Sequence, residues 1–215
     1  MLKEYRTIYK LGVDEIIIEK SRFIGYVRPI ASEEEAIEFI GEIKKKHKDA
    51  THNVPAYVFG KNNEIQRYSD DGEPSGTAGI PVLEIIKKED LRNVAIVVTR
   101  YFGGIKLGVG GLVRAYTRGA KIALNAGKIV VKKPYKELLI KIDYTLLGRL
   151  QNEILQNGYI LKEIEYHEVV HFFVYVEINK IITFKKQIIE WTNARCEIID
   201  KNEKYLTELN GKIIY

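Results

Sequence analysis

Apolar residues recur along this 215-residue chain at two different spacings, and the switches between them mark out its elements. Ile16-Ile17-Ile18 and Phe23-Ile24-Gly25-Tyr26-Val27 read as strands, separated by a turn-like Lys20-Ser21. Ser32 then opens a capping box with Glu35, and Ala36, Ile37, Phe39, Ile40 and Ile43 follow at helical spacing. That helix runs into Lys44-Lys45-Lys46, where positive charge suits a helix C-terminus. Residues 56–59 and 65–68 predict a hairpin around Lys61-Asn62-Asn63. Residues 81–86 predict a short helix that tolerates Pro81 in its first turn. Val94-Ala95-Ile96-Val97-Val98-Thr99 is unbroken in its apolarity until the threonine, as a central strand covered on both faces would be. A helix from about Gly111 to Asn125 follows, with Gly127 as its stop.

Lys132-Lys133-Pro134 is the best candidate boundary, dividing the chain into residues 1–134 and 135–215. Beyond it come a strand at 137–144 and a helix at 146–156 closed by Asn157-Gly158. Strands at 159–166 and 169–178, a helix at 181–192 and a strand at 195–199 complete a βαββαβ order. That order is the ferredoxin-like split βαβ arrangement. The tail through Tyr215 adds a turn or an edge strand. The expected class is α+β in two domains.

No run of about eighteen apolar residues occurs, which argues against a membrane span. Residues 1–6 lack the apolar core of a signal peptide. Cys196 is the sole cysteine, so neither an intramolecular disulfide nor a thiolate metal cluster is expected, and the compartment reads as cytoplasmic. The net charge of +5 is unevenly placed. No acidic residue occurs between Asp90 and Glu137, a span holding Arg92, Arg100, Lys106, Arg114, Arg118, Lys121, Lys128, Lys132, Lys133 and Lys136. Such a block suggests a polyanionic partner, or else a solvated face whose acids come from elsewhere in the fold.

Two runs carry the candidate chemistry. Ser69-Asp70-Asp71-Gly72-Glu73-Pro74-Ser75-Gly76-Thr77-Ala78-Gly79 is acidic and rich in hydroxyls and glycine. Asp70, Asp71 and Glu73, with Ser75 and Thr77, suit ion pairing with Arg100 and Lys106 or simple turn formation, ahead of a divalent ion and ahead of carboxylate catalysis. The second run places Gly103, Gly104, Gly108, Gly110 and Gly111 within nine positions between the apolar strand and the next helix. Backbone amides and the positive end of a helix dipole converge there, a common setting for anions. A tight turn needs one or two glycines, so five suggest close approach of the backbone to a ligand or a nucleic acid. The run is neither a Walker loop nor a dinucleotide fingerprint, since it lacks Gly-Lys-Ser/Thr and has Val113 at the last glycine position. Arg114, Arg118 and Lys121 form one basic stripe at i, i+4 and i+7, while Leu112, Tyr116, Ala120 and Ala123 supply the core face.

His167-Glu168-Val169-Val170-His171 matches the zinc-protease pattern His-Glu-x-x-His, which requires a helix. Its surroundings are strand-like, and in an extended strand the two histidines stand roughly 13 Å apart, too far to share one ion. A third ligand also has no evident source. His52, the one histidine beside the glycine and acidic runs, reads as structural before catalytic.

His52, Asn53, Ala56 and Tyr57, the whole of residues 70–79, and Thr99, Arg100, Tyr101, Phe102, Gly103, Gly104, Leu107, Gly108, Gly110, Gly111, Leu112, Arg114, Ala115 and Tyr116 together resemble the Impact (YigZ-like) family. The resemblance implies a first domain with the left-handed βαβ fold of a ribosomal-protein domain and of elongation factor G's fourth domain. It also implies a smaller ferredoxin-like second domain. Eukaryotic relatives are translation regulators, largely through an additional N-terminal domain, and nucleic-acid binding is the usual proposal for bacterial ones. Val54 departs from the cysteine that many relatives carry there, which argues against thiol chemistry as a shared mechanism.

The leading expectation is a protein that binds RNA or the ribosome, with no cofactor, no metal and no membrane. Arg100, Lys106, Arg114, Arg118 and Lys121 would contact phosphates, and the acidic loop would order Arg100 and Lys106. The expected binding set comprises these cations with His52, Asn53, Asp70, Asp71, Glu73, Ser75, Thr77, Tyr101, Gly103, Gly104, Gly108, Gly110 and Gly111. Two rivals remain: an enzyme acting on a small phosphorylated ligand, and a regulator that binds a protein partner through the second domain.

Overall fold

The structure is a computed structural model that describes residues 4–209 and 211–214. In chain order its elements are β1 (Tyr5–Ile8), β2 (Gly12–Ile18), β3 (Ser21–Pro29), α1 (Glu33–Lys46), β4 (His52–Phe59) and β5 (Ile65–Tyr68). There follow α2 (Gly79–Lys88), β6 (Val94–Tyr101), α3 (Gly108–Gly127), β7 (Ile129–Ile142) and α4 (Leu147–Gln156). The chain closes with β8 (Ile160–Tyr166), β9 (Val170–Glu177), α5 (Ile181–Thr192), β10 (Cys196–Leu209) and β11 (Lys212–Ile214). These form an α+β molecule with two antiparallel sheets. No helix among the described residues is long and apolar enough to cross a membrane.

The first sheet runs β2-β3-β6-β4-β5. Its central strand β6 is apolar on both faces from Val94 to Val98 because both are covered. Val94, Ile96 and Val98 point into the core beneath α2 and α3, whereas Ala95 and Val97 meet Phe39 and Ile43 of α1. The hairpin β2–β3 turns through Glu19 and Lys20, both at positive φ, as the twist of a two-residue turn requires. The expected cap forms, with the return bond shifted by one residue: Glu35 N–H donates to Ser32 Oγ at 3.2 Å, and Ala31 N–H rather than Ser32 N–H donates to the Glu35 carboxylate at 2.8 Å. Helix α3 lies directly on this sheet. A Cβ on Gly25 of β3 would sit 2.2 Å from the carbonyl oxygen of Gly119 in α3, and only glycine allows that approach.

The second sheet runs β11-β10-β7-β9-β8, with β1 also paired to β7. The expected βαββαβ order is present as β7-α4-β8-β9-α5-β10. Leu138, Ile140 and Ile142 pack with Phe172, Val174 and Val176 against Leu150, Ile154, Phe184 and Ile188 of the two helices. Lys132-Lys133-Pro134 lies inside β7, whose residues 129–132 pair with β1 and whose residues 131–142 pair with β10. One sequence expectation differs from what is observed: the final strand is far longer than residues 195–199, because β10 passes an irregularity between Asp200 and Glu203 and continues to Leu209. In this long ladder Lys133 pairs with Glu208 and Lys136 with Glu203, so that part of the basic block is matched internally.

Candidate functional site

Strand β4 lies antiparallel to β6 with His52 opposite Arg100 and Asn53 opposite Thr99, which brings the two motif segments together at one end of the sheet. The acidic loop folds across that end and is fastened residue by residue. Asp70 accepts backbone N–H groups of Gly76, Ala78 and Gly79 at 2.8, 3.0 and 2.8 Å, and so caps α2. Burial opposes ionisation of this carboxyl, but those three donors outweigh it and hold its pKa below the usual carboxylate value. Asp71, at φ 49°, accepts Asn53 N–H at 2.7 Å on Oδ2 and pairs with Lys44 at 2.6 Å on Oδ1. Thr77 Oγ1 donates to the Pro74 carbonyl, while Ser75 is exposed.

Glu73 is the buried member of the loop. Its Oε1 accepts from Arg100 Nη1 at 2.6 Å and from Tyr116 Oη at 2.7 Å, and its Oε2 lies 3.8 Å from His52 Nε2. The contact of His52 Nδ1 with the Asp71 carbonyl at 2.7 Å requires the proton on Nδ1, which leaves Nε2 facing Glu73. Burial and the bond to Glu73 together push the Tyr116 phenol well above its ordinary pKa. Arg100 is only 5% exposed, lies between the rings of Phe23 and Phe102, and keeps an Nε–H with no acceptor among the described residues. Its expected role as a phosphate contact is therefore corrected, because the guanidinium is buried and neutralised by Glu73. The acidic loop orders Arg100 as expected, but it makes no ion pair with the exposed Lys106 among the described residues.

A cavity of about 390 Å³ opens beside this network. His52, Glu73 and Arg100 line it together with Pro74, Phe102, Lys106, Leu107, Gly108, Val109 and Leu112. The glycine run divides by role. Helix α3 starts at Gly108 rather than near Gly111, so three of the five glycines belong to its first turn. A Cβ on Gly103 would meet the Lys20 carbonyl at 2.0 Å, and one on Gly111 would press on Leu107 Cβ at 3.0 Å, so these two serve internal packing. Gly104 and Gly108 sit at φ 86° and 66° facing open space. Gly110 has an ordinary φ and only Arg114 Nη1 near its missing Cβ. No side chain caps α3 and no acid occupies its first turn, so its leading amides point outward without a side-chain partner.

Below that helix end, Arg114, Arg118 and Lys121 are exposed, and none makes an ion pair among the described residues. The opposite side of α3, including Leu112, Ala115, Tyr116, Gly119, Ala120 and Ala123, is buried. The site residues thus fall into two neighbouring groups. His52, Asn53, Asp70, Asp71, Glu73, Thr77 and Arg100 form the fastened base, while Lys106, Gly108, Gly110, Arg114, Arg118 and Lys121 form an open cationic ridge. Tyr101 belongs to neither. Its hydroxyl contacts His47 Nδ1 at 2.8 Å on the side of the sheet covered by α1, where the Tyr26 hydroxyl contacts His47 Nε2 at 2.7 Å. Burial, with Lys46 and Arg22 adding to it, lowers the pKa of His47. Sequence reasoning missed Tyr116 as a partner of Glu73, although a phenol within an otherwise apolar and small helix face was an available signal.

The His-Glu-x-x-His segment also departs from expectation. His167 lies in the turn after β8 and His171 in β9, so the chain doubles back and the ring centroids are 4.6 Å apart. The 13 Å separation assumed an uninterrupted strand and is corrected by this hairpin.

The family model of the Impact N-terminal domain matches residues 19–124, and a domain of unknown function, DUF1949, matches residues 140–195. A Bacillus subtilis (strain 168) protein named IMPACT family member YvyE is 48% identical over 206 residues, covering 96% of this chain and 95% of its own. A Haemophilus influenzae protein named IMPACT family member is 34% identical, covering 92% of this chain and 97% of its own. A crystal structure described as that of a hypothetical protein superposes with a TM-score of 0.58 at 27% identity, covering 94% of this chain and 99% of that one.

Proposed function

The chain belongs to the Impact family, and from that premise we propose that it binds the phosphate backbone of structured RNA, ribosomal RNA included, through the head of α3 and its basic stripe. The observation that carries this reading is the open row formed by Gly110, Arg114, Arg118 and Lys121. The row offers uncapped helix amides at one end and, along its length, cations without an ion pair among the described residues. Arg114 and Arg118, neighbours at i and i+4, repel each other slightly, and a bound phosphate removes that cost. Exposed Phe102 beside the cavity offers a ring on which an unpaired base can stack. A role in translation, implied by the family resemblance, fits such a partner, as does a cytoplasmic setting. Two units, residues 1–134 and 135–215, serve this reading. The first is taken as the left-handed βαβ fold, and the second as ferredoxin-like on the strength of its sheet order β10-β7-β9-β8.

The test is RNA binding across a salt series with a ribosomal RNA fragment. Contacts from Lys106, Arg114, Arg118 and Lys121 predict a log–log slope of roughly −3 to −4. Arg114→Glu with Arg118→Glu should weaken binding strongly and flatten that slope. Unchanged affinity in the double variant overturns the proposal.

One observation favours a second reading, a small phosphorylated ligand. The cavity joins the head of α3 at Gly108 and Val109 to His52 and Lys106. A thermal-shift titration with inorganic phosphate and nucleotides, with and without magnesium, tests it, and no shift at millimolar ligand rejects it.

A further inference from the structure

We propose that the tip of the β8–β9 hairpin is a binding site for a divalent transition metal ion of the zinc class, built from Glu165, His167 and His171. Glu165 and His171 are directly opposite each other across the two strands, and their side chains therefore share one face of the sheet. His167 occupies the turn between them and reaches back, placing Nε2 3.0 Å from Glu165 Oε2. The two imidazole rings are tilted by 50° at 4.6 Å between centroids, and one ligand atom from each of the three residues lies within 4.8 Å of the others.

Three ligands on a tetrahedral ion, with bonds of about 2.1 Å, stand roughly 3.4 Å from one another. The Glu165–His167 pair at 3.0 Å is already that close, and the other separations, none above 4.8 Å, shrink by at most about 1.4 Å, which side-chain rotations supply. The backbone under them is fixed. Tyr144 Oη donates to the His167 carbonyl at 2.7 Å, and the Tyr144 ring stacks on Tyr166 with its plane 25° away. His167 N–H closes the turn on the Val169 carbonyl. The turn residue is therefore held from two sides, and its exposed imidazole already leans on Glu165 and His171.

Two imidazole nitrogens and one carboxylate oxygen suit zinc, nickel or copper, while calcium and magnesium prefer oxygen ligands throughout. Three protein ligands leave a fourth position to water, and the hairpin tip is exposed. The site shares no residue with the cavity at α3 and stands or falls independently of RNA binding. Its spacing mimics the protease motif, but the ligand set differs. Here the third ligand is Glu165, two residues before the first histidine, and the hairpin rather than a helix brings the pair together.

The experiment is a titration of tag-free full-length protein with zinc chloride, read by calorimetry and by the thermal midpoint. One ion should bind per chain and raise the midpoint. His171→Gln and His167→Asn should each weaken binding at least about tenfold, since even losing a group that only orients a ligand costs that much. Both positions are solvent-facing or half-buried, so a circular dichroism spectrum unchanged from the parent is expected alongside. Cys196→Ser should bind as the parent does, which separates this site from the chain's one thiol. Absence of saturable one-to-one binding overturns the proposal, as does equal binding by the His171 and His167 variants.

Discussion

Glu73 shows how one side chain can look catalytic in the sequence and be structural in the fold. It has a histidine, an arginine and a tyrosine around it, yet Oε1 already accepts two hydrogen bonds and the residue is buried. A carboxylate so engaged holds the loop over β4 and β6, and it keeps the Arg100 charge tolerable where little water reaches it. Removing the charge should therefore matter more than removing a single hydrogen bond. Glu73→Gln is expected to cost about 3 kcal/mol in urea unfolding, because it strands a buried guanidinium. Tyr116→Phe is expected to cost about 1 kcal/mol, the ordinary worth of one hydrogen bond. Costs in the reverse order would mean that Tyr116, and not the ion pair, fastens the loop.

Among the elements, α3 meets glycines of two kinds, one at its contact with β3 and one at its open head, and the two respond oppositely to a methyl group. Gly25 of β3 meets the α3 backbone itself, which cannot step aside, so Gly25→Ala should lose about 3 kcal/mol or more. Gly110 has open space and an ordinary φ, so Gly110→Ala should gain about 0.5 kcal/mol from reduced backbone freedom in the unfolded chain. If the head of α3 receives a phosphate, that same substitution weakens RNA binding while it stabilises the fold. A Gly110→Ala protein that is more stable and binds equally well would show that the amides are not used.

This division explains what the chain disclosed beforehand. Helix α1, with its N-cap at Ser32, and strand β6, apolar from Val94 to Val98, depend on neighbours in sequence and were legible there. So was the cationic stripe of α3, a matter of spacing alone. The neutralisation of Arg100, the reach of β10 to Leu209 and the convergence of Glu165 with two histidines depend on partners brought together by the sheets. Local periodicity carries no information about such contacts.

At the scale of the whole molecule, the two sheets are joined twice. Strand β7 leaves α3 after Lys128 and runs without a break into the second sheet. The N-terminal segment then crosses back over the junction. Residues Tyr5–Ile8 pair with Ile129–Lys132 of β7, Ile8 is buried in the core beneath α3, and Arg6 bonds the Glu89 carbonyl at the end of α2. Tyr9 and Lys10 N–H groups donate to the carbonyls of Lys128 and Gly127, which secures the exit from α3 as well. Burying Ile8 alone contributes roughly 1.5–3 kcal/mol, so this short strand ranks with a full ion-pair network as a source of coupling. The chain supplies a clean reporter, because its one tryptophan, Trp191, packs with the core of the second sheet. In the intact protein Trp191 fluorescence and far-UV circular dichroism should trace the same thermal transition, the mark of a single cooperative unit. Deleting residues 1–10 should separate the two curves, with α3 and its sheet melting first because they lose Ile8. Coincident curves in the deleted protein would place the coupling in β7 alone. Curves already separated in the intact protein would mean that the two sheets unfold as independent units.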